Sequence, residues 1–382
     1  MGYKTYTCPV GGECGACEWL NVPYPLQLKR KKAAIEELLA EFDVPVHDVL
    51  GMDEPLGYRA KIQSPFVRGR AGKPHFGMYA KGTHRLVESE ECLAEHPAGR
   101  LILRTIAELA QRFRIAPYDE RTGTGLLRHA IVRVAQAGGQ VMVTLVVNRK
   151  EFPHKKAFVA ALRERHPDIA TVVFNVNTRK TNAVLGPLNM VAFGQGWVED
   201  ELCGCRFRIP AGAFYQTNPR QTEVLYDAAV RLACLRPDDV VLDAYCGIGT
   251  IGIVAAKRSG CAVVGVEAVP EAAAVAVENA RINRVKRAEF VEGDAGEFLA
   301  ACEGSPDVVL MDPPRAGASG QFVEGLLAAA PQRVVYVSCN PKTQLRDLRL
   351  LSDAYAVEQI VPVDMFPHTK HLENVVSLRR RG

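Results

Sequence analysis

The chain contains 382 residues, of which 48% are hydrophobic and 24% are charged, an ordinary composition for a globular protein. No apolar run is long enough to span a membrane, and the N-terminus lacks the apolar core of a signal peptide, so we expect a cytoplasmic protein. Eleven cysteines in a reducing compartment argue against a disulfide framework and favour metal ligands, a nucleophile or buried thiols.

The net charge of +4 is unevenly distributed along the chain. Residues 1–210 carry a net charge of +7, whereas residues 211–382 carry −3. The stretch 59–180 alone carries +12. This asymmetry predicts that the first half binds a polyanion such as RNA, although a solvated basic surface explains the charge equally well.

The first half of the chain has the pattern of a small α+β module that follows a Cys- and Gly-rich knot over residues 8–20. Its predicted elements are an amphipathic helix over 24–42, short strands between 58 and 90, a helix over 99–113, a hairpin of strands 130–135 and 140–147 around Gly138-Gly139, a helix over 154–165, and strands near 171–176 and 182–185.

After residue 211, apolar strands alternate with Ala-rich helices, which is typical of a doubly wound parallel sheet in an α/β domain. The predicted strands are 240–244, 262–266, 308–311, 334–337 and 375–378, and the predicted helices are 252–257, 270–283, 321–330 and 341–351. Ligands bind such sheets at the carboxyl ends of the strands. The functional residues are therefore expected in the segments 243–249, 312–315 and 338–341 and at Glu267.

A glycine-rich loop, Asp243–Gly252, ends the first of these strands and opens a helix, while Glu267 at the end of the second can accept hydrogen bonds from ribose hydroxyls. The glycines also spell G-x-G-x-x-G, a weak signal for a dinucleotide site. The loop Asp312-Pro313-Pro314-Arg315 argues against a dehydrogenase, because it resembles the loop that many methyltransferases place beside a target base.

Cys339, in Ser338-Cys339-Asn340-Pro341, follows an apolar strand and precedes a helix, whose N-terminus is expected to lower the thiol pKa. A thiolate that adds to C6 of uracil makes C5 nucleophilic, and a base must then remove the C5 proton. Glu373 is the candidate base, with His368 and His371 as rivals. We interpret Cys234, Cys261 and Cys302 as inert buried thiols.

Cys8, Cys14 and Cys17 have the spacing C-x5-C-x2-C, and Cys92 is the best candidate for a fourth ligand. Four thiolates fit either a [4Fe–4S] cluster or a structural Zn²⁺. The spacing slightly favours iron–sulfur, because zinc sites usually show two paired C-x2-C units. We interpret the pair Cys203-Gly204-Cys205 as a structural or redox bystander.

Taken together, these residues resemble the RNA 5-methyluridine methyltransferases over nearly the whole chain. The most specific motifs are the Cys8/Cys14/Cys17 knot, Phe214-Tyr215-Gln216-Thr217-Asn218, the loop 245–249, Asp312-Pro313-Pro314-Arg315, Ser338-Cys339-Asn340-Pro341 and His371-Leu372-Glu373-Asn374.

The resemblance implies a Rossmann-like methyltransferase domain over 211–382, a central α+β RNA-binding domain over 51–210 that includes the knot 1–20, and a helix in 21–50 packed on the methyltransferase domain. It implies that S-adenosylmethionine contacts Gln216, Tyr245, Thr250, Glu267, Asp294 and Asp312. Cys339 is then the nucleophile, Glu373 the proton acceptor, and Cys8, Cys14, Cys17 and Cys92 the ligands of a [4Fe–4S] cluster.

The cluster resembles the 23S rRNA branch of the family. Only seven residues precede Cys8, so we expect no N-terminal TRAM barrel, as in the shorter rRNA enzymes. The expected activity is C5 methylation of an unstacked uridine in 23S rRNA by a monomer. A tRNA 5-methyluridine enzyme, a cytosine-C5 RNA methyltransferase and a non-catalytic RNA-binding protein are the alternatives. Phe66, Phe76, Tyr79 and Phe214 are candidates for stacking on RNA.

Overall fold

The computed structural model describes residues 4–69, 72–89, 91–302 and 304–382. Over these ranges, no helix combines the length and the apolar character that a membrane crossing requires. The chain forms two large sheets, a hairpin between them, and an N-terminal segment that reaches across to the second sheet.

The N-terminal segment contains helix α1 (Tyr24–Leu38), followed by a short 3₁₀ turn (Ala40–Phe42). Ile35, Leu39 and Val46 are buried in the same apolar cluster as the strands of the second sheet. Val46 also forms a parallel bridge with Ile360, far away in sequence. The segment is therefore held by apolar burial against the C-terminal half of the chain.

The first sheet has the strand order β3-β2-β1-β4-β5-β6-β7 and is antiparallel except for the pair β5–β6. Its strands are β1 (Lys61–Arg68), β2 (Pro74–Tyr79), β3 (Leu86–Glu88), β4 (Leu127–Val134), β5 (Val141–Val147), β6 (Ile169–Val176) and β7 (Leu188–Phe193). Helix α2 (Pro97–Arg112) covers β1, β2 and β4, and helix α3 (Lys155–Arg165) makes the parallel crossover from β5 to β6.

The second sheet has the order β12-β11-β10-β13-β14-β16-β15, and its strands run parallel except β16. The strands are β10 (Val240–Ala244), β11 (Ala262–Glu267), β12 (Ala288–Glu292), β13 (Val308–Met311), β14 (Arg333–Ser338), β15 (Tyr355–Val363) and β16 (Glu373–Arg380). The helices are α4 (Pro219–Leu232), α5 (Thr250–Ser259), α6 (Pro270–Ile282), α7 (Ala295–Ala301), α8 (Gly320–Ala329) and α9 (Pro341–Leu351). This α/β arrangement is the expected Rossmann-like fold.

A hairpin of β8 (Trp197–Leu202) and β9 (Cys205–Pro210) lies between the two sheets. The two residues of its turn, Cys203 and Gly204, have φ values of 53° and 73°, as a tight hairpin requires. Val198 and Phe207 belong to the apolar cluster that also contains α4 and α5, so the hairpin packs on the second sheet's helices.

The predicted strand near 182–185 is wrong, because these residues form a loop and β7 begins only at Leu188. The carbonyl groups of Ala183 and Val184 accept hydrogen bonds from the side chain of Asn177, at 2.7 and 2.9 Å. A side-chain amide thus replaces the ladder that a strand would need.

Candidate active site

The carboxyl ends of the parallel strands bring the predicted motifs to one edge of the second sheet. At this edge lie the loop after β10, the end of β11, Asp312 after β13 and Cys339 after β14. The antiparallel strand β16 begins at the same edge with Glu373. Segments that are distant in sequence therefore meet here.

The strand register places Cys339 beside Glu373. In the antiparallel pair β14–β16, Ser338 lies opposite Asn374, so the next positions along the two strands are Cys339 and Glu373. Residues directly opposite in such a pair have Cα atoms about 4.5–5.5 Å apart. The Glu373 carboxyl acts electrostatically on the Cys339 thiol. The geometry thus pairs the candidate nucleophile with the candidate base.

The expectation that a helix N-terminus lowers the pKa of Cys339 is wrong for the free protein. Burial, together with the carboxyl groups of Glu373 and Asp312, raises the pKa of this thiol to about 11, although Arg315 opposes the shift. Helix α9 does begin two residues after Cys339. Its dipole is outweighed because the thiolate would form half-buried between two acidic side chains.

Glu373 and Asp312 form a buried pair of carboxyl groups. Burial, together with the charge of Asp312, raises the pKa of Glu373 well above its ordinary value. Burial raises the pKa of Asp312 to about 7. Two such groups side by side cannot both ionise easily, so the pair retains a proton near neutral pH. The site can therefore hold and accept a proton beside the thiol.

Alkylation of Cys339 by iodoacetamide in the free protein is expected to accelerate about tenfold per pH unit between about pH 7 and about pH 10. Only the thiolate reacts, and its fraction rises with pH because these values lie below the thiol pKa of about 11. Mass spectrometry of the Cys339 peptide measures the rate. At about pH 9, Glu373→Gln should accelerate alkylation, since it removes a negative neighbour. A rate that levels off near neutral pH contradicts the raised pKa.

The glycine-rich loop is shaped by positive φ angles at Tyr245 (63°), Gly247 (58°) and Gly249 (80°). A Cβ atom on Gly249 would lie 2.9 Å from the ring of Phe290, so only glycine fits there. The Gly247 N–H donates to the Glu267 carboxylate at 2.9 Å. Because a carboxylate oxygen has several lone pairs, Glu267 can still accept a ribose hydroxyl.

The other predicted cofactor residues line the same edge. Asp294 caps the N-terminus of helix α7. Burial raises the pKa of Tyr245 to about 12, and the negative charge of Asp294 is the second-largest cause of this shift. The Thr250 hydroxyl lies 2.7 Å from the hydroxyl of Tyr226 on α4. Gln216 is buried in the loop before α4. The contacts of these residues with S-adenosylmethionine remain predictions.

The segment that leads into Glu373, residues 364–372, is called here the base loop. The fully buried Lys31 of α1 holds it: its Nζ donates to Asp364 Oδ1 at 2.5 Å, to the His371 carbonyl at 2.7 Å and to the Phe366 carbonyl at 3.2 Å. The Tyr24 hydroxyl donates to the other Asp364 oxygen at 2.8 Å. Helix α1 thus fixes the chain just before the base, a role hidden in the run Lys29-Arg30-Lys31-Lys32.

His368, a rival base, has both ring nitrogens engaged. Its Nδ1 lies 3.1 Å from Gln27 Nε2 and its Nε2 lies 3.0 Å from the Pro55 carbonyl. Burial lowers its pKa, so it is a neutral structural side chain. His371, the other rival, is exposed and lines the cleft that contains Cys339. Of the two histidines, only His371 is open to a substrate.

Lys31→Met is expected to lower the free energy of unfolding by about 3–5 kcal/mol, because it leaves Asp364 charged and buried without its partner. The matched control is Lys32→Met in the next position, where the partner Asp48 is 94% exposed and little should change. Urea unfolding measures both variants. Equal losses in the two variants would contradict the buried ion pair.

The four candidate ligand cysteines come together from two segments. Burial, together with the neighbouring thiols of Cys92, Cys14 and Cys8, raises the pKa of the Cys17 thiol to about 12. The Arg59 charge opposes this shift. Within the described ranges, no three His, Cys, Asp or Glu side chains are placed so that they could hold a metal ion. The thiols are thus neighbours without a preformed metal geometry.

The segment 8–20, which contains Cys8, Cys14 and Cys17 and is called here the cysteine loop, is tied to the base loop by hydrogen bonds. The backbone N–H groups of Glu18 and Trp19 both donate to the His368 carbonyl at 2.9 Å. The Tyr6 ring meets the His368 ring edge-on at 5.4 Å. Whatever orders the four cysteines therefore also supports the segment before Glu373.

The remaining cysteines differ from the expectation in part. Cys261 is buried as predicted, but Cys234 and Cys302 are exposed, because they lie at the ends of helices rather than within them. Cys205 is buried in the hairpin and Cys203 is half-buried in its turn.

A cleft of about 900 Å³ runs from the cysteine loop, at Gly15 and Ala16, to Cys339. Its walls come from both sheets and carry many cationic or polar side chains. They include Arg59, Gln63, Lys81, Arg128, Arg315 and His371. The cleft is large enough for a nucleotide-sized ligand and matches the basic charge of the first half of the chain.

The four aromatic candidates for RNA stacking separate into two groups. Phe66 is buried and stacks on Phe76 at 5.8 Å within the first sheet, so Phe66 is a core residue. Tyr79 lines the cleft and stacks on His84 at 5.2 Å. Phe214 is 69% exposed in the loop before α4. Tyr79 and Phe214 are therefore the two that a ligand can reach most easily.

Comparisons with known proteins identify a family of RNA methyltransferases. The model of the tRNA (uracil-5-)-methyltransferase family matches residues 23–381. The chain is 39% identical to an uncharacterized RNA methyltransferase of Halalkalibacterium halodurans, over 98% of this chain and 83% of that relative. It is 40% identical to one from Oceanobacillus iheyensis, over 97% and 82% of the respective chains.

Among solved structures, the chain resembles the Pyrococcus abyssi tRNA (uracil-54, C5)-methyltransferase in complex with S-adenosyl-L-homocysteine. The TM-score is 0.80 at 27% sequence identity, and the match covers 94% of this chain and 84% of that one. The likeness extends over both sheets rather than the second alone.

Proposed function

Because this chain belongs to the tRNA (uracil-5-)-methyltransferase family, whose members methylate C5 of uracil in RNA, we propose that it methylates one specific uridine, with 23S rRNA as the favoured target. The observation that carries the proposal is that Cys339 follows the Ser338–Asn374 pair directly at the carboxyl edge of the second sheet, where the Glu373 carboxyl acts on its thiol. The enzyme acts as a monomer in the cytoplasm.

In this proposal the Cys339 thiol first loses its proton to solvent, the thiolate forms a bond to C6 of the uracil, and the ring becomes an enolate whose C5 is nucleophilic. S-adenosylmethionine, bound by Gln216, Tyr245, Thr250, Glu267, Asp294 and Asp312, supplies the electrophilic methyl group. Glu373 then accepts the C5 proton, so that the C5–C6 double bond reforms and the bond from sulfur to C6 breaks.

Glu373 and Asp312 fit this sequence of proton transfers. One carboxyl group of the pair must be ionised to accept the C5 proton, and Glu373 is the one that neighbours the Ser338–Asn374 pair beside Cys339. Burial excludes water, which would otherwise compete for the proton. Burial and the charge of Asp312 raise the pKa of Glu373, and a raised pKa makes its carboxylate a stronger proton acceptor.

The same cleft must admit a base that has left its stack, because C6 and C5 are inaccessible inside a helix. The cationic walls, including Arg59 and Arg315, suit the phosphates of a single-stranded RNA segment. RNA is thus the partner that both the charge and the chemistry require.

We also propose that Cys8, Cys14, Cys17 and Cys92 hold a [4Fe–4S] cluster. The donor set fits, since the other three thiols act electrostatically on that of Cys17 beside Arg59 and thiolates are the usual ligands of such a cluster. A metal would remove the thiol protons and tie the two segments together. Anaerobic purification should give iron and sulfide in equal amounts, and Cys92→Ser should lose both. Zinc without sulfide would contradict the cluster.

Uridine mapping decides the substrate. Sequencing of 5-methyluridine in rRNA and tRNA from cells with and without the gene should show loss of one 23S rRNA position. Loss of a tRNA position instead favours the second candidate, a tRNA enzyme like the P. abyssi relative. Transcripts with cytidine in place of the target uridine should not be methylated, which excludes a cytosine-C5 enzyme. No loss at any uridine would contradict the proposed function.

A further inference from the structure

Arg128 on β4 is a buried arginine without a carboxylate partner. Its side chain is only 5% exposed, and its guanidinium lies over the Tyr118 ring at 4.5 Å. The Nη1 atom donates to the carbonyl groups of Asn177 and Arg179, at 2.8 and 2.9 Å. In the part of the chain that the structure describes, no ion pair involves Arg128. Backbone carbonyl groups thus hold one edge of the guanidinium, while Glu120, which lines the same cleft, forms its ion pair with His84.

The other edge of this guanidinium is free. The Nε atom is buried and has no hydrogen-bond partner among the described residues. Nε and Nη2 present two parallel N–H donors, the fork that binds two oxygens of one anion. A buried donor that stays unpaired is unfavourable, so an acceptor that arrives with a ligand would stabilise this edge.

His129, the next residue, faces the same space. Successive side chains of a strand normally point to opposite faces, but the ladder between β4 and β5 skips Arg128: Leu127 pairs with Val147 and His129 with Val146. Such a β-bulge redirects side chains beside functional sites. His129 Nδ1 is also buried without a partner, and burial lowers its pKa to about 4, so the ring is neutral.

Arg128 and His129 lie where two cavities join. The cleft that contains Cys339 and an adjacent cavity of about 320 Å³ share both residues, together with the stacked rings of Tyr79 and His84. A strand of RNA with its target base at Cys339 would pass these residues as it leaves the cleft. The unpaired edge of Arg128 therefore lies in the same cleft as the reacting base, where a neighbouring nucleotide of the RNA would be bound.

We propose that the free edge of Arg128 binds the phosphodiester of a nucleotide that flanks the target uridine, with His129 beside it. This inference rests on the proposed function, since it places a further part of the same RNA. A phosphate fits better than a guanine edge, because its negative charge compensates the positive charge of a buried guanidinium. The contact positions the RNA rather than reading its sequence.

The test uses Arg128→Lys, which keeps the charge and removes the fork, and a short synthetic RNA centred on the uridine found by mapping. Replacing one phosphate at a time by a neutral methylphosphonate should weaken binding to the wild-type protein at one flanking position about tenfold or more. The same replacement should not weaken binding to Arg128→Lys further. Arg112→Lys, exposed on α2, is the matched control and should bind like the wild type.

Several outcomes overturn the proposal. The first is that no methylphosphonate substitution weakens binding to the wild-type protein, a result that is decisive even if Arg128→Lys does not fold. The second is that the methylphosphonate weakens binding to Arg128→Lys as much as it weakens binding to the wild type. The third is that 7-deazaguanine, rather than a methylphosphonate, weakens binding to the wild type. If the wild-type protein methylates the uridine and Arg128→Lys binds as tightly, this inference alone fails. If the wild type methylates no RNA, the proposed function fails instead.

Discussion

Replacing Cys339 by alanine is expected to reduce methyl transfer by roughly 10⁴-fold or more and to abolish every covalent complex with RNA. Without a bond to C6, C5 of uracil remains a poor nucleophile, and no other described cysteine lines the cleft beside Glu373. Transfer of a labelled methyl group to RNA measures the rate. A denaturing gel with RNA that carries 5-fluorouridine at the target measures the adduct, because fluorine cannot leave as a proton does.

The control is Cys302→Ala, which removes an exposed thiol at the end of helix α7 and should leave both readings unchanged. Binding of S-adenosylmethionine should survive in Cys339→Ala, since none of the predicted cofactor contacts involves the thiol. Methyl transfer near the wild-type rate in Cys339→Ala would contradict the covalent mechanism, even though the chain belongs to this family.

The catalytic edge could be predicted from the sequence because it depends on local signals. Each functional segment follows an apolar strand, and the carboxyl ends of parallel strands must meet at one edge. Cys339 and Glu373 could therefore be predicted as partners, and in the structure each lies next to the Ser338–Asn374 pair.

The support of that edge could not be predicted, because it comes from contacts between distant segments. Lys31 looks like its neighbours in a basic run, yet it is the one that is buried against Asp364. The bulge at Arg128 leaves no signal in a regular apolar strand. The pKa of Cys339 depends on two carboxyl groups whose approach only the fold reveals.

These distant contacts make the N-terminal segment part of the catalytic apparatus. The cysteine loop holds the base loop through the His368 carbonyl, and α1 holds it through Lys31 and Gln27. Loss of order in either segment would move Glu373 relative to Cys339. Small displacements of this kind are costly to catalysis, because proton transfer requires close contact.

Glu373→Gln is expected to lower turnover by about 10²–10⁴-fold while a covalent complex accumulates with ordinary uridine RNA and S-adenosylmethionine. The amide cannot accept the C5 proton, so the bond from sulfur to C6 persists after methyl transfer. The change should not prevent the attack by Cys339, since it removes a negative neighbour that disfavours the thiolate. A denaturing gel shift, followed by mass spectrometry of the Cys339 peptide, should detect a methylated adduct.

The matched control is Glu358→Gln on the adjacent strand β15, where the carboxylate is exposed and pairs with Arg379. It should turn over normally and leave no adduct. In the double variant Cys339→Ala/Glu373→Gln the adduct should disappear, which shows that it forms on this thiol. If Glu373→Gln gives no adduct with a bound cofactor, Glu373 acts before the methyl transfer. Another group would then accept the C5 proton, and His371, which lines the cleft, becomes the residue to replace next.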